Sequence, residues 1–384
     1  MGKTQKPDIH RVDREYEQAL ESFRNNACLS EKNTQLCLEF INDLKIGWGS
    51  AKKIGDHRLL KYLRTLRILT IMFESLDNEL SWSYVQKQHI KTLLLMFDHK
   101  DGWNEWAIHG ARTILKRFVT WMRKEHRYPQ DYPEGERLNA LILLVKSPVE
   151  VDYSTPRPKK LKSIDEIPTE EEVNWLIQAW DYYREETSRA EVAARNKAII
   201  TILAEIGIRI GGLGSLQIRD VIFDNIGAKI SVTDKTMQGE PVRLITSAPC
   251  LKEWLNLHPW KNNPEAPLWV VLLDHNHLGS PMCYEMFGKM LKQSRRLHNK
   301  HAKENDLPLI TRRLHFHAFR YYAQTRDMLE GMPVSIQCAQ RGWKPNSDRP
   351  QQYARVTTAQ VDEWLVAHNR LLNTAEAESI GRQS

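Results

Sequence analysis

No stretch of the 384-residue sequence approaches the roughly 18 apolar residues of a membrane span, and the best, Leu138–Val145, is far too short. Met1–Arg14 is polar and charged, with no apolar signal core. Cysteine is scarce. Cys28, Cys37, Cys250, Cys283 and Cys338 lie far apart and form no CxxC pair. That argues against a disulfide framework or a cysteine zinc site and for reduced, buried thiols. There is no Walker-type glycine loop, no clustered set of metal ligands, no internal repeat and no low-complexity tract. The expectation is a soluble, cytoplasmic protein with no cofactor, no metal and no membrane partner.

What is present is an ordinary globular balance, 41% hydrophobic and 27% charged, with a net charge of +7 that makes polyanions plausible partners. The length calls for two domains, or for one large domain with an appendage. Residues 1–33 are charged and irregular and read as an N-terminal segment. Residues 34–146 are helical almost throughout: Leu36, Leu38, Phe40, Ile41 and Leu44 recur at helical spacing, then Leu59–Phe73, Val85–Phe97, Trp103–Lys124 and Leu138–Val145. Lys61, Arg64 and Arg67 share another face of the second run. Residues 147–168 change character. Pro148, Pro156, Pro158 and Pro168 surround Lys159, Lys160 and Lys162, the composition of an extended basic linker.

Thr169 followed by three glutamates is an N-cap with acid in the first helical turn, opening a domain over 169–358. A long helix around Val192–Ile206 ends near Gly207. Lys229–Val232 and Val242–Ile245 flank a polar turn and read as a β-hairpin. Helices return at Cys250–Leu257, Tyr284–His298, His317–Glu330, Ser335–Gln340 and Ala359–Leu372, the last within a C-terminal segment of 359–384. The fold class is mainly α with a small β-hairpin or sheet.

Four segments of the second half carry a pattern in order: Ile206-Gly207-Ile208-Arg209-Ile210 running on to Arg219-Asp220-Val221; the hairpin with Lys235 near its tip; His317-Ala318-Phe319-Arg320; and Gly342-Trp343 with Tyr353 ten residues later. Together they resemble the tyrosine recombinases of the phage integrase family, whose first segment reads TGLRISELLxLRxxDI and whose second box is HxxR. The layout looks most like archaeal integrases. The resemblance covers Ile164 to about Leu372, whereas the first half fits the family's core-binding domain only by size and helicity.

The resemblance implies a site-specific recombinase, cleaving and religating duplex DNA through a 3′-phosphotyrosyl intermediate without metal or ATP. It implies a helical core-binding domain and a mixed α/β catalytic domain closing as a C-shaped clamp on DNA. It also implies four protomers on two DNA sites, with accessory DNA-bending proteins as further partners and a nucleoid-associated location. The catalytic set it selects is Arg209, Lys235, His317, Arg320, Trp343 and Tyr353. The chemistry needs these types. Two guanidiniums offset charge on the non-bridging phosphate oxygens. A phenol with pKa near ~10 needs a base or a positive field, and the departing 5′-oxygen needs a proton, which a lysine supplies.

Other readings stay open at this stage. His315 competes with His317, Arg243 with Lys235, and Tyr321 and Tyr322 with Tyr353. Trp343 reads equally as core. His275 and His277 form an HxH in a polar turn, better read as a surface loop. Lys292, Arg295, Arg296 and Lys300 make a basic helix face that is either solvated or phosphate-contacting. The chain departs from the family at Gly212, where an acid is usual, at Trp343, where histidine is usual, and in the Trp343–Tyr353 spacing, one residue longer than usual. A type IB topoisomerase-like enzyme and a catalytically inactive DNA-binding protein of the same fold are the rival functions.

Overall fold

The computed structural model describes residues 7–49, 53–77, 79–129, 132, 133, 135, 167–233, 238–344, 347–354, 356, 360 and 364. Leu138–Val145, most of the 147–168 linker, Lys235 and, apart from Gln360 and Trp364, the Ala359–Leu372 helix lie outside the described residues. The chain divides into two compact units, Arg11–Leu161 and Met1–His10 together with Lys162–Ser384. Among the described residues no helix is long and apolar enough to cross a membrane.

The first unit is helical: α1 (Val12–Arg24), α2 (Glu31–Ile46), α3 (Asp56–Glu74), α4 (Lys87–Asp98) and α5 (Glu105–Lys124). α1 corrects the reading of residues 1–33 as irregular. It buries Val12, Tyr16 and Phe23, with Ala19 and Leu20 half-buried beside them, a stripe at helical spacing that the charged composition of 1–33 outweighed in the sequence reading. Tertiary partners make it a helix: Glu15 pairs with Arg64 at 2.9 Å and Ser22 accepts from Arg67, so two of the basic residues on α3 serve α1. Ser30 caps α2, while Glu74 at the end of α3 accepts from Ser30 N (3.0 Å), Ser30 Oγ (2.6 Å) and Asn33 Nδ2 (2.7 Å). The core is aromatic, with Phe73 stacked on Trp82 at 3.8 Å and Phe40 against Phe118 and Trp121. Cys37 is buried there, its thiol pushed up to about 12 by burial, which keeps it protonated and inert.

In the second unit α6 (Glu170–Thr187) opens on a capping box. Thr169 Oγ1 accepts from Glu172 N, and Glu172 accepts in return from Thr169 N at 2.9 Å. α7 (Ala190–Ile206) is buried on nearly every face, from Val192 to Ile206, which marks it as the central helix of the unit. After α8 (Ile210–Gly214), three strands form an antiparallel sheet in the order β1 (Val221–Phe223), β2 (Ala228–Thr233), β3 (Gln238–Leu244). Ile230 lies opposite both Val221 and Val242. β1 joins the expected hairpin as a third strand; at three residues it is too short to show alternation. The helices α9 (Ala248–Leu257), α10 (Tyr284–Glu304), α11 (Phe316–Leu329), α12 (Val334–Gln340) and α13 (Arg349–Tyr353) complete the unit.

The base of the sheet is clamped by Asp224. Its Oδ1 accepts from Arg243 Nη1 at 2.6 Å and from the amides of Ile226 (3.0 Å) and Gly227 (3.1 Å). The Arg243 hydrogen bond, then the Ile226 amide, hold this carboxyl well below the ordinary carboxylate range. Because the folded-state value is depressed, the clamp stabilises the protein above the unfolded carboxyl pKa near ~3.9 and loses that effect progressively as pH falls from there through the depressed folded-state value. Asp224→Asn is therefore expected to lower the melting temperature at neutral pH, the gap to wild type closing below about pH 4. A gap that stays constant with pH in paired melts would show that the Arg243 pairing contributes nothing.

Candidate active site

The site begins at the end of α7. That helix stops at Gly207, whose φ of 58° is left-handed. A Cβ there would lie 2.9 Å from Arg320 Cα and 3.1 Å from Ala323 Cβ, so only glycine lets α11 approach so closely. α11 also satisfies the carbonyls that α7 leaves unpaired at its end. Arg326 donates to Ala204 O (3.2 Å) and Glu205 O (2.6 Å), and Arg320 Nη1 donates to Gly207 O (3.0 Å). Two residues on, Arg209 is the N-cap of α8, and its carbonyl accepts from Leu213 N at 2.9 Å. The two arginine segments are thus fixed to one another through backbone.

Gly207→Ala is expected to destabilise the chain by about 2–4 kcal/mol, combining left-handed strain with the clash. Gly288, in α10 with nothing within 4 Å of an added Cβ, is the control and should tolerate alanine. Urea midpoints at unchanged m-value check both, and equal midpoints for the two variants would refute the close-approach argument.

α11 opens with His315 as N-cap, its Nδ1 accepting from Ala318 N at 3.1 Å. His317 faces the other way round the turn, its ring 5.4 Å from that of Tyr353 and 5.2 Å from that of Tyr321, edge-on to both. Tyr353 ends α13 and stacks on Trp343 at 5.5 Å and 11°. The buried Arg320 guanidinium, on a side chain only 3% exposed, lies 4.9 Å from the Trp343 ring and 5.1 Å from the Tyr353 ring. Four residues singled out from the sequence, His317, Arg320, Trp343 and Tyr353, therefore form one cluster. The indole Nε1 of Trp343 is buried without a hydrogen-bond partner among the described residues, an arrangement costly unless an acceptor arrives.

Sequence reasoning missed several residues that hold this cluster. Tyr321, read as packing, sits 5.3 Å from Tyr353 within it; Tyr322 instead lies against Arg326. Asp327 is buried between two arginines, pairing with Arg326 at 2.7 Å and with Arg341 at 2.5 Å. Arg341 immediately precedes the left-handed Gly342 and Trp343, so this pair anchors the segment carrying Trp343. An i, i+14 charge pair has no sequence signature. The Asp224 pairing engages Arg243, and Gln340 Nε2 donates to Arg243 O at 2.6 Å, tying β3 to α12. His277 pairs with Asp274 at 2.8 Å. On α10, Lys300 pairs with Glu186 and Arg295 donates to Arg312 O, and Lys292, Arg296 and Lys300 are the exposed members of that basic face.

The glycine-rich turn after Arg209 is held through its backbone carbonyls by neighbouring side chains. Trp269 Nε1 donates to Leu213 O at 2.8 Å and Ser215 Oγ to Gly212 O at 3.1 Å. These bonds fix a helix of five residues that contains three glycines.

A sequence model of the phage integrase family matches residues 167–360. No curated protein matches the sequence. Among solved structures, the XerH site-specific recombinase bound to difH substrate in a pre-cleavage complex aligns with a TM-score of 0.54 at 18% identity, covering 94% of this chain and 97% of that one. The Tn1549 transposon integrase in complex with circular intermediate DNA aligns at 0.54 and 15% identity, covering 85% and 98%. A lambda integrase dimer bound to a COC′ core site aligns at 0.51 and 13%, covering 86% and 79%. At such identities the structural likeness is one of fold.

Proposed function

Since the chain belongs to the phage integrase family, the site-specific tyrosine recombinases, we propose that Tyr353 is its nucleophile and that the side chains gathered around it divide the work of one strand cleavage. Its partner is DNA, the molecule bound in the XerH, Tn1549 integrase and lambda integrase structures. The observation that carries the assignment is the convergence of His317 and Arg320 from α11, and of Trp343 from the turn after α12, on the Tyr353 ring.

Tyr353 Oη attacks the scissile phosphorus. The Oη–P bond forms, the P–O5′ bond breaks, and a 3′-phosphotyrosyl ester and a free 5′-hydroxyl result. His317 takes the phenolic proton, and Lys235 delivers a proton to the 5′-oxygen. Arg209 and Arg320 neutralise the non-bridging oxygens, where charge grows in the transition state, and Trp343 Nε1 donates to one of them. An indole N–H donates but does not exchange protons at working pH, so Trp343 binds phosphate and leaves proton transfer to His317. The ester conserves the energy of the broken bond, and attack by a 5′-hydroxyl reverses the steps to religate without ATP. Recombination then calls for two DNA sites, and four protomers are proposed to assemble on them.

The test is covalent trapping. The wild-type protein is incubated with nicked duplexes from the DNA flanking its own gene, and an adduct surviving denaturant is digested and mapped. DNA attached to the peptide containing Tyr353 supports the assignment. Attachment at Tyr321 would overturn it, and site-independent relaxation of supercoils would favour the topoisomerase-like alternative. Binding without any adduct would favour the inactive DNA-binding one.

A further inference from the structure

The N-terminal residues 7–10 fold with the catalytic unit, although the whole of Arg11–Leu161 separates them from the rest of it. Ile9 is 3% exposed and belongs to the same core as Leu213 and Phe287. Its carbonyl accepts from Tyr284 N at 2.9 Å, and the His10 ring stacks on the Tyr284 ring at 5.2 Å. The contact surface on the other side is the turn that follows Arg209. A Cβ on Gly214 would lie 2.8 Å from Ile9 Cγ2 and 2.9 Å from Ile9 Cδ1, and one on Gly211 would lie 3.5 Å from His10 Nε2. Tyr284 in turn meets the ring of Phe316 at 5.9 Å, edge-on, one residue before His317.

We propose that Ile9 and His10 form a positioning strap for the catalytic centre: seated in the space that Gly211 and Gly214 leave bare, they hold the α8 turn so that Arg209 keeps its reactive placement. This rests on the recombinase reading above. Three features converge on it. α8 has five residues, three of them glycine, so its own side chains do little to fix it. Ile9 supplies from outside the apolar side chain that position 214 lacks. Tyr284 joins the strap to the start of α11, so one short segment touches the surroundings of both Arg209 and His317. Beyond the strap, Arg11 takes a left-handed conformation (φ 48°) before α1 begins.

A positioning role separates chemistry from binding. With the full-length protein at saturating concentration on a nicked duplex, Ile9→Asp is expected to slow adduct formation by about tenfold to a hundredfold, the scale on which a misplacement of ~1 Å acts. DNA affinity by fluorescence anisotropy should stay within about twofold, since it comes from many phosphate contacts. Ile9→Leu should restore the rate. Gly214→Ala, which pushes on Ile9 from the opposite side, should give the same split between rate and affinity, and it remains informative if Ile9→Asp fails to fold by its melting curve. An unchanged rate in Ile9→Asp and Gly214→Ala would overturn the proposal, and so would a parallel fall of rate and affinity or a failure of Ile9→Leu to rescue. If wild type itself forms no adduct, it is the recombinase reading that has failed.

Discussion

Tyr353→Phe is expected to abolish covalent capture of DNA, with adduct formation at least about 10⁴-fold below wild type, because no second group replaces a lost nucleophile. The neighbouring hydroxyl of Tyr321 is on a ring 5.3 Å away, but that ring sits on α11, buried and fixed by its own helix. The change removes one oxygen from a half-buried ring whose face stays stacked on Trp343. Folding and DNA affinity should therefore hold, the affinity within about twofold at fixed salt. The comparison is made by denaturing gel for the adduct and by anisotropy for binding. A residual adduct in the Phe variant within about tenfold of wild type would mean that another residue attacks.

Arg320→Lys is the second large effect. The positive charge survives, yet an ammonium is a point charge and cannot present two parallel donors to a phosphate or lie flat between two aromatic rings. In wild type the guanidinium is 4.9 Å from the Trp343 ring and 5.1 Å from that of Tyr353, while Nη1 donates to Gly207 O. Loss of a positioned donor to a developing oxyanion costs about 10²–10³ in rate, and this substitution disturbs Tyr353 and the Gly207 turn as well, so about 10³ is expected. Single-turnover cleavage of a nicked duplex measures it. Cleavage within about tenfold of wild type would remove Arg320 from transition-state stabilisation.

The two effects differ in what they say about the site. Tyr353 acts through one atom and leaves the architecture intact. Arg320 joins structure to the proposed chemistry, since the same side chain closes the end of α7 and lies against the Tyr353 ring. Arg320→Lys should accordingly lower stability too, by about 1–3 kcal/mol if the Gly207 carbonyl is left unsatisfied, whereas Tyr353→Phe should not. Melting curves of the pair distinguish a supporting role from a purely chemical one.

The sequence alone determined the residue types and their order: Gly207 and Arg209, the hairpin, His317 and Arg320, then Trp343 and Tyr353. It could do so because phosphoryl transfer demands particular groups, and because capping boxes, helical periodicity and strand pairs are local, set within a few residues of chain. Thr169 with Glu172, and the apolar run of α7, were legible for that reason. α1 was legible by the same rule, with Val12, Tyr16, Leu20 and Phe23 at helical spacing, and only the charged composition around them hid it. Only the tertiary structure decided which histidine caps a helix and which faces the tyrosine. It also decided that Asp327 joins Arg326 to Arg341, and that Ile9 fills the room left by Gly214. Each of these is a contact between residues far apart in sequence or a choice between neighbours on one helix. Burial and close approach in three dimensions fix both, and neither leaves a periodic trace along the chain.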